Sequence, residues 1–514
     1  MNGAEALVRT LVACGVDTCF TNPGTSEIYV VAALDLVPEM RATLTLFEGV
    51  ATAAADGYAR MSEKPACTLL HLGPGLGNGL ANLHNASRAQ VPIVNVIGQH
   101  ATFHLKCDTP LASDIEGIAK PYSHWLKTSR KAAELGKDGA EAVLASRTAP
   151  GQIATLIVPA DVSWSEGGQT AAAPQFPRPT KVANKQIEKA AEMLRSRLPT
   201  ALLMTGNALY GSGLVAAGRI AAGTGARLLA PYPLRRLQRG AGLPRVDRVN
   251  YVLEQAIEQL KEIRQLILVG TQVPRAYFAS PGKDSLFLSS ECVIHTLALP
   301  GEDYVAALED LALELSLGNN QPDAVQPERP SIPKGSISLP GLASVIGALL
   351  PERTIVVDES MTSGRGLMAA THGAPPHEWL GNTGGSIGIA LPLAVGAAVA
   401  CPDCRILCLT ADGSAMYTSQ ALWTMAREGL NVTTVVFANR AYAVLKREFS
   451  YLGEGGPGPR ARPLFEIGHP DLDWVQLSKS MGVPGTRISS LDEFAKSLNA
   501  GLQAGGPTLI EVPL

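Results

Sequence analysis

Short, continuous apolar runs constrain the fold of this chain more than any other sequence feature. In the last third of the chain they occupy residues 354–357, 405–409 and 432–437. Because polar and apolar residues do not alternate within them, both faces of each strand are expected to be covered, as in a parallel sheet flanked by helices. Similar runs, separated by helix-like segments, occur in the first and middle thirds. The sequence therefore predicts an α/β protein of three doubly wound domains with mainly parallel sheets.

Two segments rich in proline and polar residues, 170–180 and 319–335, lack apolar periodicity and are expected to be linkers. They divide the chain into three predicted domains, 1–168, 181–318 and 336–514. A length of 514 residues is sufficient for three domains of ordinary size.

The composition is that of a folded protein with a large core, since 46% of the residues are hydrophobic and 17% are charged. General disorder is therefore excluded. The formal net charge of −3 gives no electrostatic driving force toward nucleic acid or an anionic membrane, so neither is an expected partner.

Several features predict a cytoplasmic protein. The N-terminus lacks a basic start followed by an apolar run and a cleavage site, so no signal peptide is expected. The longest apolar stretch, residues 387–400, contains glycine and proline and is too short to span a bilayer easily, which favours a buried helix. Eight cysteines in so long a chain do not form a disulfide framework.

Asp412 and Asn439 each stand directly after a predicted strand, with one predicted helix between the two strands. Such a crossover brings both residues to the carboxyl ends of a parallel sheet. A carboxylate, an amide oxygen and a nearby main-chain carbonyl are hard ligands that suit Mg²⁺, with phosphate oxygens and water in the remaining positions. Gly413 allows close backbone approach to an anion at the following helix N-terminus. The alternative is an Asp-Gly turn near an unrelated asparagine.

The run Asp412-Gly413-Ser414, followed by Asn439, resembles the thiamine-diphosphate signature, in which GDG is followed after about 27 residues by NN. The three-domain plan is similar to that of the 2-oxo-acid decarboxylase and acetolactate synthase superfamily. The resemblance implies a pyrimidine-binding first domain, a linking central domain and a diphosphate-binding third domain. It also implies thiamine diphosphate as cofactor and Mg²⁺ bound by Asp412, Asn439 and the main-chain carbonyl of Ala441.

The signature is imperfect, because Ala411 replaces its first glycine and Ala438 its first asparagine. Neither position supplies a metal ligand in the family, so the site is expected to survive.

Glu48 stands between the apolar run 43–47 and an alanine-rich helix that ends in ADGYAR. A carboxylate there is expected to be buried, and therefore hydrogen-bonded or protonated. The common alternative is pairing with an arginine or lysine. This pattern resembles the family's activating glutamate, which implies that Glu48 hydrogen-bonds to N1′ of the aminopyrimidine and activates the cofactor.

Other candidate cofactor residues come from the same resemblance. Residues 384–392 are similar to a family segment in which Ile387 would be the apolar wedge between the two rings and Gly385 would offer its carbonyl to the 4′-amino group. Asn78 is a candidate contact of the aminopyrimidine. The remaining candidates are Pro23 and Gly24, and, for the diphosphate, Thr362, Ser363, Gly413 and Ser414. Thr362 and Ser363 could equally cap a helix.

Two residues are candidates for substrate chemistry. The segment 21–27 and the segment 70–78 are similar to those of benzoylformate decarboxylase that bind substrate and carry a catalytic histidine. The resemblance implies that Thr25 and His71 bind the substrate carboxylate and move protons. A histidine satisfied within the core is the alternative for His71. Residues 73–79 are expected to form a glycine-rich loop behind it.

The resemblance has limits. Tyr277 is the nearest match to a second catalytic histidine of benzoylformate decarboxylase, which leaves decarboxylation of aromatic 2-oxo acids open. His100 and His104 do not form the adjacent histidine pair of pyruvate-type decarboxylases, and a surface loop is expected there. The central domain lacks a full phosphate loop, so a structural role is favoured and FAD is not expected.

These patterns together predict a thiamine-diphosphate- and Mg²⁺-dependent enzyme. It would cleave or form the carbon–carbon bond next to a 2-oxo group, as a decarboxylase or an acetolactate synthase-like carboligase. The resemblance implies a homodimer or homotetramer with active sites between chains and a small 2-oxo acid as substrate. The alternatives are a cofactor-binding regulatory or scaffold subunit without turnover, and a flavin-dependent relative.

Overall fold

A computed structural model describes residues 1–318, 322–450 and 456–514. The first three residues of the predicted second linker, 319–321, lie outside the described residues. Within the described part, three sheets are flanked by helices, and their strands are parallel with one exception. The predicted α/β class with mainly parallel sheets is confirmed.

The sheet of the first domain is parallel, and its strands are β1 (Thr18–Asn22), β2 (Arg41–Leu44), β3 (Ala66–Leu70), β4 (Ile93–Gln99), β5 (Trp125–Thr128) and β6 (Ile153–Pro159). The helices are α1 (Gly3–Ala13), α2 (Ile28–Leu34), α3 (Glu48–Ser62), α4 (Leu72–Ala89), α5 (Ile115–Ala119), α6 (Ala132–Arg147) and α7 (Ala160–Trp164). The strand order is β2-β1-β3-β4-β6-β5. Alternate residues of β3 and β4 enter two different hydrophobic clusters, as expected for a sheet covered on both faces.

The central domain follows with strands β7 (Thr200–Met204), β8 (Arg227–Ala230), β9 (Leu237–Arg239), β10 (Asp247–Arg248), β11 (Gln265–Val269) and β12 (Val293–Ala298). Its helices are α8 (Asn184–Arg195), α9 (Gly211–Thr224), α10 (Leu253–Leu260) and α11 (Tyr304–Glu314). The parallel sheet has the order β10-β8-β7-β11-β12, which leaves β9 outside it.

The third domain contains the strands β13 (Thr354–Glu359), β14 (His377–Gly381), β15 (Arg405–Ala411), β16 (Val432–Ala438), β17 (Gly485–Arg487) and β18 (Thr508–Pro513). Its helices are α12 (Leu339–Leu349), α13 (Leu367–Ala370), α14 (Ala390–Ala400), α15 (Asp412–Ala415), α16 (Ala421–Arg427), α17 (Ala443–Ser450), α18 (Trp474–Ser480) and α19 (Leu491–Gln503). The sheet order is β17-β18-β16-β15-β13-β14-β9. Strand β9 joins its edge, antiparallel to β14, although it belongs to the central part of the sequence.

Helix α14 is buried along its length, which confirms the buried helix predicted for the longest apolar stretch. It packs against α3 of the first domain with very close backbones. A Cβ on Gly57 would lie 2.2 Å from the carbonyl oxygen of Leu393, and one on Gly396 would lie 1.9 Å from that of Ala54. These two glycines therefore allow the helices to touch. None of the helices in the described ranges combines the length and the apolar character needed to cross a bilayer.

The glycine-rich loop predicted at residues 73–79 is wrong, because these residues begin the 18-residue helix α4. Pro74 lies in the first turn, where a missing N–H costs nothing. Gly79 serves packing, since a Cβ on it would lie 2.9 Å from a methyl carbon of Thr52 on α3.

Candidate cofactor site

Asp412 and Asn439 lie at the same rim of the third sheet. Strands β15 and β16 are parallel neighbours in which Ala411 pairs with Phe437, and the two polar residues directly follow those strands. Asp412 Oδ2 accepts a hydrogen bond of 2.7 Å from the main-chain N–H of Arg440, the residue after Asn439. The structure thus places the two residues that the sequence proposes as metal ligands at the same rim of the sheet.

Asp412 is a buried carboxylate, only 2% exposed, and no side-chain cation pairs with it among the described residues. Burial raises its pKa, while the main-chain N–H groups of Arg440 and Gly413 act in the opposite direction. Burying an ionised carboxylate without a counter-ion costs free energy, and a bound divalent cation would offset that cost through its own charge. Asn439 Oδ1 accepts from the N–H of Ala441 at 3.0 Å, which fixes the amide at the rim.

This donor set fits Mg²⁺ held jointly by protein and phosphate. One carboxylate, one amide oxygen and one main-chain carbonyl are hard oxygen donors, and they leave positions for phosphate oxygens and water. Among the described residues no cluster of three or more His, Cys, Asp or Glu side chains is present, so a site made of such side chains alone is not found there. A Cβ on Gly413 would lie 2.7 Å from the ring of Tyr442, so any larger residue at this position would displace that ring. Ser414 follows as a buried residue of α15.

Glu48 begins helix α3 and is 6% exposed. The alternative of an arginine or lysine partner is not found among the described residues. Its carboxylate instead accepts from two amides, Asn78 Nδ2 at 2.9 Å and Asn22 Nδ2 at 3.3 Å. Gly75 leaves room beside it, since a Cβ there would lie 3.2 Å from Glu48 Oε1. Asn78, a predicted cofactor contact, is therefore placed as a partner of the carboxylate.

His71 is the single residue between β3 and α4, and it pairs with an acid that is not among the candidate residues of the sequence analysis. Its Nδ1 lies 2.8 Å from Oε2 of the fully buried Glu27 and 3.3 Å from Oγ of Ser26. A carboxylate accepts, so this contact places a proton on Nδ1 and leaves Nε2 for other partners. Thr25 is exposed beside them, and Gly24 makes room, since a Cβ on it would lie 2.2 Å from Nδ1.

The only signal for Glu27 in the sequence is its place in the polar segment after β1, where Pro23, Gly24 and Thr25 were the candidates. Glu27 Oε2 also accepts from the N–H of Gly24 at 2.8 Å, and Oε1 accepts from Ser26 Oγ at 2.7 Å. Glu27 thus fixes both the turn at residues 24–27 and the orientation of the His71 imidazole.

Glu359 holds the segment that carries Gly385 and Ile387. Its carboxylate accepts from the N–H groups of Gly388 and Ala390 and from Asn382 Nδ2, each at 3.1 Å. The side chain is 2% exposed, and burial raises its pKa to about 7 against the hydrogen bonds that lower it. Glu359 therefore fixes both the start of α14 and the turn before it.

Thr362 and Ser363 lie in the turn after β13, where Thr362 lines a cavity that also contains Asn382 and Gly385, and Ser363 is buried. The alternative that they cap a helix is wrong, because Gly366 precedes α13. Gly385 has a φ of +84°, a conformation that favours glycine. Ile387 is half-buried.

Helices α3 and α4 of the first domain hydrogen-bond to residues 381–386, which lead into this segment. Arg60 of α3 donates to the carbonyl of Gly381 at 2.7 Å and to Thr383 Oγ1 at 3.1 Å. Asn85 of α4 pairs with the backbone of Ser386. Asp56 forms a buried ion pair with Arg60. The ADGYAR motif therefore contributes a buried pair whose arginine connects the first domain to the third.

Each chain carries two separate groups of candidate residues. Glu48 hydrogen-bonds only within the first domain, and Asp412 only within the third, as far as the described residues extend. Tyr277 of the central part lies near the third-domain group, 3.5 Å from a Cβ placed on Gly385. His100 and His104 lie together after β4, with ring centroids 5.7 Å apart.

The comparisons with known proteins agree with this geometry. Residues 1–119 match the family described as thiamine pyrophosphate enzyme, N-terminal TPP binding domain, and residues 364–512 match the corresponding C-terminal TPP binding domain. The chain is 51% identical to the "Putative acetolactate synthase large subunit IlvX" of Mycobacterium tuberculosis, over 100% of this chain and 99% of the relative.

A second relative is the benzoylformate decarboxylase of Pseudomonas aeruginosa, 28% identical over 97% of this chain and 96% of its own. A solved structure, the thiamine diphosphate-dependent 4-hydroxybenzoylformate decarboxylase of Rhodococcus jostii RHA1, superposes with a TM-score of 0.85 at 22% identity. That comparison covers 100% of this chain and 99% of the other. The two domain matches and the 51% identity over the full length show that the chain belongs to the thiamine pyrophosphate enzyme family.

Proposed function

We propose that this protein is a Mg²⁺-dependent thiamine diphosphate enzyme that cleaves or forms the carbon–carbon bond next to a 2-oxo group. The observation that carries the proposal is the buried, unpaired carboxylate of Asp412 beside Asn439, in a chain whose termini match the two cofactor-binding domains of the family. The family relatives named acetolactate synthase large subunit and benzoylformate decarboxylase support this reaction class.

The third domain would hold the charged end of the cofactor. Asp412, Asn439 and the carbonyl of Ala441 would bind Mg²⁺, and Gly413 and Ser414 at the start of α15 would contact the diphosphate. Thr362 and Ser363 are further candidates for this contact. When bound, thiamine diphosphate supplies a carbon nucleophile for the 2-oxo carbonyl and accepts the electron pair of the bond that breaks.

Glu48 would hold a proton between its carboxylate and N1′ of the aminopyrimidine. The two amide donors from Asn22 and Asn78 orient the carboxylate for this contact. Gly385 would offer its carbonyl to the 4′-amino group, and Ile387 would separate the two rings. The contacts of Glu359 fix the positions of both residues.

His71 would move protons at the substrate through Nε2. Its Nδ1 faces Glu27, which holds the orientation of the imidazole and leaves Nε2 for the substrate. Thr25 is exposed next to this pair, where its hydroxyl can donate to a substrate carboxylate.

The active form would be a homodimer or homotetramer with its sites between chains. The Glu48 group and the Asp412 group have separate hydrogen-bond partners within one chain, which supports completion of each site by a second copy. Large apolar side chains lie exposed on the first and third domains, among them Phe103 after β4 and Tyr417 after α15. A cytoplasmic location is part of this proposal, and free thiols at all eight cysteines suit a reducing compartment.

The central domain would serve a structural role. Its strand order changes direction between β7 and β11, the place where doubly wound domains bind ligands. Tyr304 fills that place, since Cβ atoms on Gly206 and Gly270 would lie 3.0 Å and 2.3 Å from its ring.

The test is incubation of the purified protein with thiamine diphosphate, Mg²⁺ and a panel of 2-oxo acids. Release of CO₂ would be followed together with the products. An aldehyde would identify decarboxylation, and a 2-hydroxy ketone product would identify carboligation. Full cofactor occupancy with no consumption of any 2-oxo acid would overturn the proposal and favour a binding subunit without turnover.

A further inference from the structure

A cavity of about 980 Å³ lies between the central and third domains and reaches the candidate cofactor segment. Asn382, Gly384 and Gly385 line one part of it, and Tyr277 stands at 3.5 Å from a Cβ placed on Gly385. A group bound next to Gly385 therefore has space to extend into the cavity.

One wall of the cavity is aromatic and fixed in position. The rings of Tyr232, Tyr251 and Tyr277 contact one another, with centroids 4.9 to 5.7 Å apart. The guanidinium carbon of Arg248 lies 4.2 Å from the ring centre of Tyr232, and that of Arg447 lies 5.4 Å from the ring centre of Tyr251. Stacked cations and rings stabilise each other, so this wall presents positive charge on a rigid apolar surface.

The lining has more cations than carboxylates, although the whole chain has a net charge of −3. The carboxylates are Asp247, Asp358 and Glu359, and the arginines are Arg239, Arg245, Arg248, Arg365 and Arg447. Four of the five arginines bond to protein groups, Arg447 among them. Arg239 donates to Thr371 and Met368, Arg245 pairs with Asp247, and Arg248 donates to the carbonyl of Tyr232.

Arg365 and Arg447 remain as cations with unused donors. Among the described residues Arg365 has no hydrogen bond or ion pair, and it is exposed at the cavity. Arg447 donates to Glu448 through one terminal nitrogen at 2.8 Å, but its buried Nε has no partner in the described part of the chain. A buried guanidinium donor without an acceptor is a group that an anionic ligand would satisfy.

We propose that the acyl chain of the substrate extends from Gly385 into this cavity and ends in a second carboxylate that binds Arg447 and Arg365. The inference rests on the proposed function and narrows its substrate class to 2-oxo dicarboxylic acids. In the decarboxylation the bond between C1 and C2 breaks, CO₂ leaves, and one proton takes its place on C2. The product is an aldehyde that keeps the distal carboxylate, and no oxidant is required.

The test compares 2-oxopentanedioate with 2-oxopentanoate, which have the same chain length and differ in the distal carboxylate. With the cofactor-loaded enzyme, kcat/KM is expected to be at least about tenfold higher for the dicarboxylate, the scale of one charged hydrogen bond. Arg447→Met and Arg365→Met should each lower kcat/KM for the dicarboxylate by about tenfold, mainly through KM, and leave the monocarboxylate within about twofold. Arg195→Met is the control, because Arg195 lies outside the cavity in an exposed pair with Glu314, and it should change neither substrate.

A binding measurement keeps the inference independent of turnover. Glutarate has two carboxylates and no 2-oxo group, and calorimetric titration should show that it binds. The substitution Arg447→Met should weaken this binding at least about tenfold. Pentanoate, which has one carboxylate, should not bind in this way. This result would support the arginine site even if no 2-oxo acid were consumed. Equal use of both 2-oxo acids, with both affected alike by the arginine substitutions, would overturn the inference and leave the proposed function standing. Glutarate binding that is unchanged in both Arg447→Met and Arg365→Met would also overturn the inference.

Discussion

Asn85 of the first domain and Ser386 of the third exchange two hydrogen bonds. Asn85 Nδ2 donates to the carbonyl of Ser386 at 2.9 Å, and the N–H of Ser386 donates to Asn85 Oδ1 at 3.1 Å. The side-chain amide of Asn85 thus forms with the backbone of Ser386 the kind of hydrogen-bond pair that a neighbouring strand would form. With Arg60 on Gly381 and Thr383, it lets the first domain fix the segment that is proposed to hold the aminopyrimidine.

Arg60→Gln is expected to destabilise the protein and weaken cofactor binding. Asp56 would remain fully buried without its cation, and loss of one partner of a buried pair costs about 3–5 kcal/mol. The measurement is the midpoint of thermal unfolding together with the KM for thiamine diphosphate. Arg9→Gln is the control, because Arg9 forms a partly exposed pair with Glu5 one turn away in α1, and such i,i+4 pairs contribute about 0.5 kcal/mol. Equal midpoints for the two variants would contradict the assigned role of Arg60.

Glu48→Gln is expected to keep the cofactor and lose activity. Glutamine retains the size of the side chain but cannot exchange a proton with N1′, so we expect a fall of about 10²–10⁴-fold in kcat. Exchange of the cofactor's C2 proton, followed by NMR, should slow to a similar extent. Glu5→Gln in α1 serves as control and should leave exchange unchanged. Exchange at the wild-type rate in Glu48→Gln would remove this residue from the mechanism.

Asp412→Ala is expected to abolish Mg²⁺-dependent retention of the cofactor. The substitution removes the only carboxylate of the proposed metal set, so the diphosphate would lose its bridge to the protein. Cofactor content after desalting, with and without Mg²⁺, measures the effect. Asp403→Ala, at the exposed turn before β15, provides the control. A full cofactor complement in Asp412→Ala would reject the proposed metal site.

Glu359 should give the protein a pH-dependent stability. Its pKa rises from 4.5 to about 7 in the folded protein, so the folded state binds a proton that the unfolded state releases in this interval. Stability should therefore fall as the pH rises from about 4.5 to about 7, by up to about 3 kcal/mol. Thermal unfolding at several pH values, with wild type and Glu359→Gln in parallel, isolates this contribution. The difference between the two proteins should change over that interval, and a constant difference would show that Glu359 does not titrate there.

The sequence predicted the rim of the third sheet because the necessary pattern is local. Asp412 and Asn439 follow two apolar strands joined by one helix, and this unit has one common arrangement. The ends of individual elements were less predictable. Residues 73–79 resembled a loop because glycine is a poor helix former, yet packing against α3 requires small residues there.

Contacts between distant residues were not accessible from the sequence. Glu27 and Glu359 stand in short segments that follow predicted strands, and only the fold places them against His71 and Gly388. Arg60 reaches a carbonyl 321 positions away. No periodicity encodes such pairs, since each depends on how two separately folded layers meet.

Strand β9 has a consequence for dissecting the protein. Its residues Leu237–Arg239 run antiparallel to β14 and end the large sheet, while the chain on either side of them belongs to the central sheet. Removal of the central region would leave β14 with unpaired N–H and C=O groups along a bare margin, open to pairing with other molecules. The linking region thus works as a cover for the cofactor-binding half, and an isolated C-terminal half is expected to associate with itself.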